Sequence, residues 1–128
     1  MAEHHLTLAL LPDTFAICRL PASAALPAWA MVGSFCAVTR TPEELSIVCT
    51  EQAVPEDVTC QRGWRSLKVA GPLDFALTGV LASLVVPLAG VGVSIFAIST
   101  YDTDYVLVQE AQLDTAIDAL RRAGFAVA

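Results

Sequence analysis

Residues 71–108 read GPLDFALTGVLASLVVPLAGVGVSIFAISTYDTDYVLV, and this stretch decides the fold. No charge falls between Asp74 and Asp102. The uncharged run from Phe75 to Ile98 is long enough to cross a bilayer, which takes about 20 residues. Its internal pattern argues against a span. Before Pro87 the apolar residues Leu77, Val80, Leu81, Leu84 and Val85 follow helical spacing and form one stripe. After it, residues 93–98 are rich in β-branched and aromatic side chains and read as a strand. Pro87 lacks an N–H and clashes with the carbonyl four residues back, so the helix bends or ends there. Gly90 and Gly92 close it, and Asp74 is the best available N-cap. The polar cluster at 99–104 then turns the chain into another strand, 105–108.

Working outward, Leu113, Ala116, Ile117 and Leu120 mark a second amphipathic helix. Arg121 and Arg122 complement its C-terminal dipole and Gly124 stops it. Residues 125–127 make a last short strand. On the other side, 64–69 alternates as a strand with Leu67 and Val69 facing in. The order from residue 62 is β-α-β-β-α-β, a ferredoxin-like α+β unit with both helices on one sheet face.

The first 61 residues are strand-rich. Leu6, Leu8 and Leu10 share one face of a strand, Pro12-Asp13 reads as a turn, and 15–20 as the returning strand of a hairpin. A loop with a helical turn around Trp29 follows, then a strand at 34–39. Thr41-Pro42-Glu43-Glu44 carries the signals of a helix start, with Thr41 as cap and Glu44 in the capping-box position. Leu45, Ile47 and Cys49 share a strand face, and the polar segment 51–63 joins the halves. The expected division is 1–61 and 62–128. The first part is open to reading as a degenerate copy of the second, although no clear self-similarity shows.

With 128 residues, 55% of them hydrophobic, and a net charge of −6, the chain has neither the basic stripe that nucleic acid requires nor attraction for an anionic membrane. The N-terminus has no positive region ahead of its apolar run, so a secretory signal is not expected and a cytoplasmic location is. Cys18, Cys36, Cys49 and Cys60 form no closely spaced pair and read as buried thiols rather than zinc ligands. No metal or cofactor is expected. An enzyme is not expected either: His4 and His5 sit at the terminus, and no nucleophile elbow or phosphate loop is present. So apolar a small chain points to a homodimer.

Three stretches carry a family resemblance: TRTPEELSIVC at 39–49, GPLDFALTGVL at 71–81 and STYDTDYVLV at 99–108. Together they resemble the small bacterial ACT-domain proteins, which are similar to the ACT regions of aspartate kinases and to the cytosolic arginine sensors of animals. The resemblance implies a regulatory module that binds an amino acid. The implied ligand residues are Gly71, Pro72, Leu73, Asp74, Thr78 and Gly79 around the first helix, with Ser99, Thr100, Tyr101, Thr103 and Asp104 in the later turn. A regulated enzyme is implied but not identified.

The chemistry suits such a ligand. Free N–H groups at a helix start donate to a carboxylate, and Asp104 offers a partner for an ammonium or guanidinium. Asp74, if it caps the helix, competes for the same donors. The competing reading is a structural or partner-binding protein whose ACT-like fold has lost its ligand.

Overall fold

The computed structural model describes residues 6–70 and 79–128. Along the chain it forms β1 (Thr7–Leu20), β2 (Cys36–Arg40), β3 (Leu45–Thr50), β4 (Cys60–Val69), α1 (Val80–Gly90), β5 (Ile95–Ser99), β6 (Asp104–Gln109), α2 (Leu113–Arg122) and β7 (Ala126–Val127). Single 3-10 turns lie at Ala28–Met31, Glu51–Ala53 and Glu110–Gln112. The turn at Ala28–Met31 contains Trp29, as the sequence suggests. Two compact units result, Met1–Pro12 with Arg65–Ala128, and Asp13–Trp64.

In the C-terminal unit the expected order β-α-β-β-α-β is present as β4-α1-β5-β6-α2-β7. The uncharged run divides as its pattern suggests, because α1 stops at Gly90 and β5 begins at Ile95. Among the described residues no helix is long and apolar enough to cross a membrane. Val80, Leu84 and Leu88 on α1 share one helix face. With Leu113, Ala116 and Leu120 on α2 they form a single core with Leu67 and Val69 of β4 and Val106 and Val108 of β6. Alternate strand residues therefore point at the helices, and each fully buried leucine contributes about 1.5–3 kcal/mol. Pro87 sits inside the last turns of α1 rather than ending it. The helix closes with Val93 N–H bonding Leu88 C=O at 3.0 Å and Gly92 N–H bonding Ala89 C=O at 3.0 Å. Gly92, at φ 74°, takes the left-handed position that this closure needs. The same pair of bonds ends α2, from Phe125 to Leu120 and from Gly124 to Arg121.

Two expectations about strands and turns are corrected. β1 is one continuous strand, not a hairpin turning at Pro12-Asp13. Its start pairs in parallel with β7, Thr7 opposite Ala126 and Leu8 opposite Val127, and its end pairs with β3 from Phe15 onward. Pro12 falls between those two ladders, so its missing N–H breaks neither. The start of β1 falls in the same compact unit as residues 65–128. The sheet order here is β7-β1-β4-β6-β5, with the closing strand β7 joined to β1. Leu8 is 1% exposed, which is the physical reason: its apolar face is needed in this core.

The second correction concerns Thr41–Glu44. It is the loop of a β2–β3 hairpin, not a helix start. Thr41 Oγ1 does accept the N–H groups of Glu43 and Glu44, at 3.2 and 3.1 Å, as a cap would. But Thr41 N–H bonds Glu44 C=O at 2.9 Å, and the residues that follow, Leu45 to Thr50, pair with β1 and β2. A run of β-branched residues with two available partners favours the ladder over the helix.

The N-terminal unit is strand-rich, in the order β2-β3-β1-β4. Its core comprises Ala16, Cys18, Ala30, Leu45, Ile47, Cys49 and Val54. Its hairpin repeats in the other unit: the bounds 36–40, 45–50 and 51–53 recur as 95–99, 104–109 and 110–112, each 59 positions later. The turn bonding recurs too. Thr100 N–H bonds Thr103 C=O at 2.8 Å, and Thr103 N–H bonds Thr100 Oγ1 at 3.2 Å.

Candidate functional site

The turn between β5 and β6 is built from short polar side chains. Ser99 and Asp104 are the last paired residues of the ladder, and Ser99 Oγ donates to Asp104 Oδ1 at 2.6 Å. Between them the loop is closed by Thr100, whose hydroxyl also donates to the Thr103 carbonyl at 3.1 Å. Tyr101 is 80% exposed at the tip, and Asp102 beside it is exposed. Thr103 behaves differently. It is 4% exposed and its hydroxyl donates to the carbonyl of Val69 at 2.7 Å. Val69 ends β4, two residues before Gly71, so this bond ties the turn to the end of the strand that leads into 71–74. Beside it, Lys68 Nζ on β4 lies 5.9 Å from the centre of the Tyr105 ring on β6.

Of the sequence-derived site, Ser99, Thr100, Tyr101, Thr103 and Asp104 lie together on this one turn. Gly79 is the N-cap of α1, with φ 78° and no side-chain cap bond. Gly71, Pro72, Leu73, Asp74 and Thr78 lie outside the described residues, and the N-cap expected at Asp74 falls instead at Gly79, directly before α1. Thr103 is a positioning residue here, since its hydroxyl faces inward. Replacing it with valine keeps the shape, deletes the donor and strands a buried carbonyl. Thr103→Val should lose about 1–2 kcal/mol of stability in urea unfolding, with Thr103→Ser close to the parent. Equal stability for the valine variant would show that the tie carries no weight.

An open cleft of about 420 Å³ lies elsewhere, lined by Glu51, Gln52, Val54, Glu56 and Arg62. Two of its charged groups already have partners. Arg62 donates to the carbonyls of Glu51, Val54 and Pro55, at 3.0, 3.2 and 3.4 Å. Glu51 Oε1 accepts Gly63 N–H at 2.7 Å. It is a braced loop of the N-terminal unit and contains none of the expected ligand residues.

Sequence reasoning missed one cluster. The four cysteines, all free thiols, fall one on each strand of the N-terminal unit. A hydrogen bond with Cys49, with burial and Cys60 behind it, pushes the Cys18 thiol well up. Cys49 takes the lower pKa of the pair, because Cys18 donates to it and Arg62 lies near. Burial also raises Cys36. Among the described residues, no group of three or more His, Cys, Asp or Glu could hold a metal ion. Spacing along the chain hides this row, since only the strand register brings the thiols side by side.

Comparison with known proteins follows the two units. A family model described as ACT domain matches residues 59–122, and a second, described as an N-terminal domain, matches 13–57. A rat (Rattus norvegicus) protein, cytosolic arginine sensor for mTORC1 subunit 1, is 32% identical over 109 residues, covering 80% of this chain. This chain spans about a third of that relative's length, 31%. Among solved structures, a protein from Agobacterium tumefaciens is 41% identical with a TM-score of 0.93, covering 98% of this chain and 93% of its own. The regulatory subunit of aspartate kinase from Thermus thermophilus, in its ligand-free form, matches with a TM-score of 0.66 at 15% identity. That alignment covers 94% of this chain and 99% of the subunit, and it shows the fold alone. The described turn, the element order and these matches agree: the chain belongs to the ACT-domain family.

Proposed function

We propose that this protein is a regulatory module that binds a free amino acid and has no catalytic activity of its own. The observation that carries the reading is the Thr103–Val69 bond, which joins the β5–β6 turn to the strand end preceding Gly71. A ligand between 71–74 and 99–104 would meet backbone N–H groups on one side and the Asp104 carboxylate on the other. Carboxylate and ammonium, the two groups every amino acid carries, then each find a partner of opposite character. The names of the relatives, an arginine sensor and a regulatory subunit of a kinase, support the same class of ligand and a regulated partner enzyme. A cytoplasmic site of action belongs to this reading.

The module is proposed to work as a homodimer. Outward positions of α1 carry no charge, and Val86 there is 69% exposed. Burying that face against a second copy would remove apolar surface from water. One experiment addresses both parts: purified protein is sized by light scattering and then heated with each of the twenty amino acids in turn. A ligand at about 100 times its Kd should stabilise the fold by roughly 2.7 kcal/mol and raise the melting midpoint. If no amino acid shifts the midpoint at millimolar concentration, the partner-binding reading takes over. A monomer at tens of micromolar would remove the dimer.

A further inference from the structure

The cysteine row of the N-terminal unit brings thiols face to face across its strands. Cys36 and Cys49 are directly opposite each other in the β2–β3 ladder. The turn tells which kind of pair they form. Thr41 N–H bonds Glu44 C=O, so that position is hydrogen-bonded. Bonded and non-bonded positions alternate along an antiparallel ladder. Arg40 opposite Leu45 is therefore non-bonded, Thr39 opposite Ser46 bonded, and the alternation makes Cys36 opposite Cys49 non-bonded. At such positions the Cα atoms are about 4.5 Å apart and the side chains closest. A disulfide needs about 4.4–6.8 Å. Cys18 does not compete on equal terms. Its partner on β3 is Ile47, which makes it a diagonal neighbour of Cys49, and diagonal Cα atoms lie about 7–8 Å apart, beyond that span.

We propose that Cys36 and Cys49 are a modification site that forms a reversible cross-strand disulfide by exchange with a small disulfide such as oxidised glutathione. Cys36 is the entry point, being partly exposed on an edge strand, while Cys49 is fully buried. The Cys36 thiolate attacks one sulfur of oxidised glutathione. The glutathione S–S bond breaks, a mixed disulfide forms on Cys36, and one glutathione leaves as thiolate and takes up the proton Cys36 lost. Cys49 then loses its proton and attacks the Cys36 sulfur. The second glutathione is expelled and protonated. Two protein thiols are oxidised to one disulfide, and one oxidised glutathione is reduced to two thiols. The product pins the edge strand β2 to β3 across the Thr41–Glu44 loop.

The test is a disulfide map of the wild-type protein. Burial and the neighbouring Cys49 hold the Cys36 thiol above its ordinary range, so exchange is run at mildly alkaline pH. After alkylation, trypsin and a glutamate-specific protease cut after Arg40 and Glu51, separating Cys36, Cys49 and Cys60. A linked Cys36–Cys49 peptide should account for most of the protein, with a mass loss of about 2 Da, and should disappear with dithiothreitol. Cys18→Ser should keep the link and Cys36→Ser should abolish it. A Cys18–Cys49 link, glutathione retained on Cys36 without a cross-link, or four unmodified thiols would each overturn the assignment. The wild-type map decides the matter even if a variant does not fold.

Discussion

Asp104→Ala is expected to weaken amino-acid binding roughly 10- to 150-fold while leaving the protein folded. The range corresponds to about 1.5–3 kcal/mol, the usual worth of a charge-assisted hydrogen bond. Asp104 opens β6 at the root of the turn, half-buried, with one carboxylate oxygen taking the Ser99 hydroxyl. The carboxylate retains acceptor capacity for an ammonium or guanidinium. Ser99→Ala should cost less, because it removes only a neutral donor that orients the carboxylate. Thr100 is committed to its own loop through Thr103, so its removal would act on the turn rather than on the ligand. Titration calorimetry with the best amino acid from the thermal screen measures the change. Unchanged affinity in a folded Asp104→Ala protein would exclude this anchor.

Leu84→Ala should lower stability by about 2–5 kcal/mol, a large share of the roughly 5–15 kcal/mol that holds a domain folded. Leu84 is 1% exposed and packs in the core that joins both helices to β4 and β6. The melting midpoint should fall by roughly 10–20 °C. Val86 on the same helix is the internal control. It is 69% exposed, so Val86→Ala should change stability by no more than about 0.5 kcal/mol. Equal costs for the two variants would mean that α1 does not bury this face. The contrast also tests the reading of the uncharged run, since a helix surrounded by lipid would have no single buried stripe.

Much of the C-terminal unit is legible from the sequence because its signals are local. Leu113, Ala116 and Leu120 set the face of α2, and Gly124 with Phe125 ends it through bonds only three to five residues long. Pro87, Gly90 and Gly92 divide an uncharged stretch that hydropathy alone would read as a span. The acidic hydroxyl turn at 99–104 is equally local, and the structure gathers Ser99, Thr100, Thr103 and Asp104 on it. Thr41–Glu44 shows the limit of such reasoning. Its threonine satisfies backbone N–H groups in the same way at a helix start and in a hairpin loop, and the choice falls to partners elsewhere in the chain.

The sequence by itself determined the βαββαβ order, the two helix faces, the polar turn and the family. These depend on periodicity, capping and turn chemistry within a few residues. Tertiary structure alone decided that β1 runs through Pro12, that β7 pairs with Thr7 and Leu8, and that Thr103 reaches Val69. It also decided that Cys36 faces Cys49. The pairings among these join residues at least 13 positions apart. Strand register sets them, and register depends on the total apolar surface buried and the backbone bonds satisfied across the sheet, not on any one segment's pattern.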